Sequence, residues 1–65
     1  MNIPPKISMA AARVNAKKTQ SDVAEYLGVS KTTIINYETG KTSPDWDTVK
    51  KLEILYGYPF DFVRI

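Results

Sequence analysis

Apolar residues recur at three- and four-residue spacing along most of the chain, and the breaks fall at residues that start or stop helices. Met9, Ala12 and Ala16 share one face of a segment that Ser8 can cap, which predicts a first helix through Ala16, favoured by its alanines. Thr19-Gln20-Ser21-Asp22 places a hydroxyl three residues before a carboxylate, a capping-box variant, and Val23, Ala24 and Leu27 follow at helical spacing to Gly28. Ser30 opens a third helix with Ile34 and Tyr37 inward, running to about Thr39 before Gly40 stops it. Ser43-Pro44 reads as an N-cap followed by proline at the first helical position, with Asp45 and Asp47 beside the positive helix end. Trp46, Val49, Leu52, Leu55 and Tyr56 then mark the inward face of a fourth helix ending at Gly57. Pro59 can open a last short turn holding Phe60 and Phe62; only Phe62 to Ile65 reads weakly as strand, and Pro4-Pro5 leave Met1 to Lys6 as an extended arm. The expected class is all-α: a compact domain of four helices and a short fifth, with helices two and three forming a helix-turn-helix.

Composition narrows what such a domain can do. At 65 residues the chain is expected to be one domain over 1–65, with an arm at 1–6 and a short tail at 63–65. With 43% hydrophobic residues it should fold, and its longest apolar run, Met9 to Ala12, is too short for a membrane span or signal peptide. The absence of cysteine and histidine removes disulfides, thiolate nucleophiles, imidazole bases and ordinary zinc sites, and fits a reducing bacterial cytosol. No carboxylate pair is backed by a nucleophile, a phosphate loop or a metal cluster, so no catalytic residue, metal or cofactor is expected. Nor is a domain to sense a small-molecule ligand. The net charge is +2, but Met1 to Lys41 holds six bases against three acids, whereas Thr42 to Ile65 holds three against four. The first two-thirds would favour a polyanion.

The informative stretch runs from Gln20 to Thr39. Two short helices joined by Gly28-Val29-Ser30 expose one helix face, on which Lys31, Thr32, Ile35 and Asn36 point outward. A cation, a hydroxyl, an apolar branch and an amide are able to read base edges in a major groove. The aromatic residues Trp46, Tyr56, Tyr58, Phe60 and Phe62 follow core spacing rather than forming a stacking platform.

From Ile7 to Phe62 the chain resembles the lambda-repressor-like helix-turn-helix regulators of the Cro and phage-repressor (XRE) type. The resemblance rests on Ala12-Arg13, Thr19-Gln20, Val23-Ala24, Leu27-Gly28-Val29-Ser30, Thr33-Ile34, Tyr37-Glu38, Gly40-Lys41, Pro44 and Leu55-Tyr56-Gly57. It implies a sequence-specific regulator of transcription, a repressor, whose third helix enters the major groove of double-stranded DNA. Lys31, Thr32 and Asn36 match base-reading positions, and Thr33 one that touches backbone or base. Ile35, polar in many members, either meets a thymine methyl or sits idle on the surface. Gln20 matches a glutamine that touches phosphate and braces the recognition helix, and Lys41 and Thr42 match a loop whose side chains and N–H groups lie against phosphate. Arg13 and Glu38 match a charged pair linking helix one to the end of helix three. Lys17 and Lys18 stand where many members have glycine and a buried apolar residue; Lys18 is a phosphate contact or part of a charged turn. The same fold also serves antitoxins and adaptors that bind proteins, commonly with an extra wrapping segment.

A lone module of this size reads few base pairs, so a homodimer on an inverted-repeat operator is expected. Tyr58, Phe60, Phe62, Val63 and Ile65 exceed what a short last helix can tuck away, which nominates Phe60, Phe62 and Ile65 as the dimer contact; the competing expectation is that they close the core.

Overall fold

A computed structural model describes residues 6–64, apart from the side chains of Phe62 and Arg64. Four α-helices follow in order: α1 Met9–Asn15, α2 Gln20–Leu27, α3 Lys31–Glu38 and α4 Trp46–Tyr56. A 3-10 turn over Phe60–Phe62 leads back to the chain start, where β1 (Ile7–Ser8) pairs in parallel with β2 (Val63–Arg64), Ile7 opposite Val63. The all-α expectation therefore gains a two-residue parallel pair. Its cause is the alternation at the two ends, which lets Val63 enter the core while the backbones bond. No described helix is long and apolar enough to cross a membrane.

Three of the four helix starts are capped as the sequence predicts, by Ser8, Thr19 and Ser30. The fourth differs. Asp45, not Ser43, caps α4, its carboxylate accepting the Thr48 N–H at 2.8 Å. Pro44 lies before the cap and is buried, so its ring serves packing rather than the first helical turn. Bonding to the Thr48 side chain and N–H holds the Asp45 carboxyl below its ordinary range.

Each helix gives the core its inward stripe: Met9 and Ala12 from α1, Val23 and Ala24 from α2, Ile34 from α3, and Val49, Leu52 and Tyr56 from α4. Val23, Ile34 and Leu52 are at most 1% exposed, and burying each such side chain contributes about 1.5–3 kcal/mol. Phe60 and Val63 close this core from the C-terminal side. The Glu53 carboxylate accepts the Phe60 N–H at 2.9 Å, which lays the Phe60 ring on Tyr56 with centroids 6.2 Å apart.

Two aromatic expectations are corrected. Trp46 is 69% exposed rather than core. At about 100° per residue, Val49, Leu52 and Tyr56 fall within about 60° of one another, and Trp46 lies about 85° from their centre. Phe60, nominated for a dimer contact, is only 7% exposed, spent inside its own chain. The other nominated positions, the Phe62 side chain and Ile65, lie outside the described residues.

Candidate nucleic-acid interface

The turn between α2 and α3 depends on Gly28, at φ 71°, in the left-handed region that favours glycine. The Val29 N–H then donates to the Ala24 carbonyl at 3.0 Å, closing α2 as the chain swings into α3. Thr19 and Asp22 open α2 with a reciprocal capping box, at 3.0 and 2.9 Å. Bonding to the Thr19 N–H and hydroxyl holds the Asp22 carboxyl below its ordinary range. Ser30 caps α3 through the Thr33 N–H, and the Ser30 and Thr33 hydroxyls share a bond of 3.1 Å.

The pose of α3 is fixed at its far end. Arg13 Nε donates to Glu38 Oε2 at 2.7 Å, its Nη2 makes a longer bond of 3.4 Å to Oε1, and its Nη1 donates to the Lys18 carbonyl at 2.9 Å. Gln20 Nε2 donates to Glu38 Oε1 at 3.0 Å. The carboxylate of the last α3 residue is thus gripped from α1 and from the first residue of α2, with the Arg13 and Glu38 side chains 15% and 6% exposed. Beneath this lock the buried Tyr56 hydroxyl has no hydrogen-bond partner. Its pKa is pushed up to about 12, first by burial and then by the Glu38 carboxylate, with Arg13 opposing.

From that lock the outer face of α3 points to solvent. Lys31 and Thr32 are exposed, Ile35 is 37% exposed, and Thr33 and Asn36 are half-buried. The Lys41 and Thr42 side chains are exposed, but their N–H groups donate to the Asn36 carbonyl at 2.9 and 3.3 Å. Those amides are spent in closing α3, which leaves the side chains as the groups able to reach a ligand. Lys18 is half-buried among Asp22, Glu25, Tyr26 and Leu55, and its charge lowers the Asp22 pKa. It faces carboxylates of α2 rather than open solvent.

Three features escaped sequence reasoning. Gln20 reaches Glu38 rather than standing apart, and the Lys18 carbonyl anchors Arg13. Lys17 adopts φ 59°, a left-handed conformation uncommon for a side chain of its size. The stop after Asn15-Ala16 without a glycine was the available signal for the last.

A helix-turn-helix family model matches residues 9–63. The chain is 45% identical over 47 residues to the cryptic phage CTXphi transcriptional repressor RstR of Vibrio cholerae, a match covering 72% of this chain and 42% of that protein. It is 38% identical over 52 residues to the HTH-type transcriptional regulator ImmR of Bacillus subtilis (strain 168), covering 80% of this chain and 41% of that one. The chain thus spans about two-fifths of the length of these relatives. No solved structure matches. With capped α2 and α3 crossing at Gly28, α3 locked through Glu38, and nearly the whole chain matched, this protein belongs to the helix-turn-helix family.

Proposed function

We propose that this chain is a sequence-specific DNA-binding regulator of transcription, acting as a repressor in the bacterial cytosol. The observation that carries the reading is the solvent-facing surface of a recognition helix whose far end is held by Arg13 and Gln20 through Glu38. The names of the two relatives, a transcriptional repressor and a transcriptional regulator, agree with it.

In this reading Lys31 donates to guanine O6 or N7, Asn36 pairs with adenine N6 and N7, Thr32 serves either, Thr33 meets backbone or base, and Ile35 covers a thymine methyl. Gln20 keeps one amide N–H beyond the one given to Glu38, enough for a phosphate oxygen. The Lys41 ammonium and Thr42 hydroxyl supply further phosphate contacts, and Lys18 a weaker one, because Asp22 and Glu25 partly neutralise it. Two copies on inverted half-sites about 34 Å apart would double the sequence read.

Binding of labelled duplexes across a salt series tests this division. Lys41→Ala should weaken every duplex alike and reduce the salt slope by about one. Asn36→Ala should cost about 1–3 kcal/mol at one base pair and relax preference there. Equal weakening on all sequences by Asn36→Ala would show that α3 does not read bases through it.

A further inference from the structure

α4 carries a second surface that none of the proposed DNA contacts uses. Ile54 at 78% and Trp46 at 69% are the most exposed large apolar residues among those described. At about 100° per residue, Trp46, Lys50 and Ile54 lie at about 0°, 40° and 80° around the helix, one continuous stripe pointing away from the core. The Lys50 ammonium sits 5.4 Å over the Trp46 ring. On the other flank of Trp46 a cleft of about 260 Å³ is floored by Pro44, Val49 and Phe60 and rimmed by Glu53 and Asp61. An apolar anchor with a cation stands beside an apolar cleft with two carboxylates.

We propose that this face docks a second copy of the chain across a two-fold axis. Each Trp46 would fill the partner's cleft, and each Lys50 would approach the partner's Asp61 and Glu53. A two-fold contact requires one patch to hold both members of every pair, and this patch holds Trp46 with its cleft and Lys50 with its carboxylates. A wholly different partner would need to supply a cation for the rim while leaving Lys50 unmatched. The α4 helices would run antiparallel, so their dipoles oppose favourably.

The area sets the strength. An aromatic side chain buries roughly 150–250 Å², so covering the exposed part of two Trp46 rings removes roughly 200–350 Å². Even with Ile54 and the rim this is far below the ~1,200 Å² of stable complexes. The dimer is therefore transient, with a dissociation constant between about 10 μM and 1 mM, and is reinforced when two copies share one duplex. It replaces the contact expected from Phe60, which the core has absorbed.

The test is sedimentation of the DNA-free chain from about 10 μM to 1 mM, so its outcome does not depend on DNA binding. Wild type should show a reversible, concentration-dependent dimer. Trp46→Ser and Lys50→Glu should each raise the dissociation constant about tenfold or more, with unchanged melting temperature because both residues are exposed. Lys50→Glu combined with Asp61→Lys in one chain should recover dimer, the charges being exchanged; Glu53 is left intact because it holds the Phe60 N–H. A monomer throughout, a dimer indifferent to Trp46→Ser, or no recovery in the charge exchange would each overturn the proposal.

Discussion

Replacing Arg13 with Met leaves the Glu38 carboxylate 6% exposed and without its cation. The lost contacts are a short 2.7 Å bond, a marginal one at 3.4 Å, and the 2.9 Å bond to the Lys18 carbonyl. Breaking a buried pair from one side costs about 3–5 kcal/mol. Two features place this site at the lower end: Gln20 still donates to Glu38 Oε1, and Arg13 retains 15% exposure. A loss of about 3 kcal/mol is large for a domain of 65 residues, whose whole stability is of order 3–10 kcal/mol. It should lower the melting temperature by roughly 12–24 °C, at about 4–8 °C per kcal/mol. Adding Glu38→Leu removes the stranded charge and should recover at least half of the loss. Urea unfolding followed by far-ultraviolet circular dichroism is the suitable assay, because Trp46 is already solvated and reports poorly by fluorescence. If the two single losses simply add in the double variant to within about 0.5 kcal/mol, the lock does not couple α1 to α3.

Three smaller perturbations follow from local structure. Lys17→Gly should stabilise by about 0.5–1 kcal/mol, since relief of the left-handed backbone exceeds the extra unfolded-state entropy of glycine; a lower melting temperature would contradict the φ 59° assignment. Tyr56→Phe removes a buried hydroxyl with no partner and should be neutral or stabilising by up to about 1 kcal/mol. Because the Tyr56 pKa rises from 10.0 to about 12 on folding, the stability it contributes is present below pH 10 and lost as pH climbs toward 12. The Phe variant should lose that part of the alkaline slope in a melting series. Asp22 and Asp45 have folded pKa values below 3.8, so what their caps contribute is present above that pH and disappears as pH falls through the lowered values. Asp45→Ala should flatten its share of the acid-side decline in melting temperature, and an unchanged slope would show that the cap is not made.

The helices were legible because their boundaries are local chemistry: Ser8, Thr19 and Ser30 each bond an N–H three residues on. The fourth start misled because Ser43-Pro44 and Asp45 both offer plausible caps, and packing of the Pro44 ring, which no local rule encodes, decides between them. Trp46 misled for a related reason: three-residue spacing to Val49 places it on the edge of the stripe, and only the tertiary arrangement decides whether an edge is covered. The recognition surface was legible as far as Lys31, Thr32 and Ile35, which face solvent as periodicity requires. The shared grip of Arg13 and Gln20 on Glu38 was only half visible. Gln20 lies 18 residues from its partner, and helical periodicity carries no information at that range.

Selection of bound duplexes from a random pool by the wild-type chain tests the central claim most directly. Sequence-specific recognition by α3 predicts enrichment of one short word, present as two inverted copies spaced by about one helical turn, with Lys31→Ala or Asn36→Ala relaxing single positions within it. A pool that stays random while the protein still binds it would contradict the claim, leaving only a phosphate-directed, sequence-blind association.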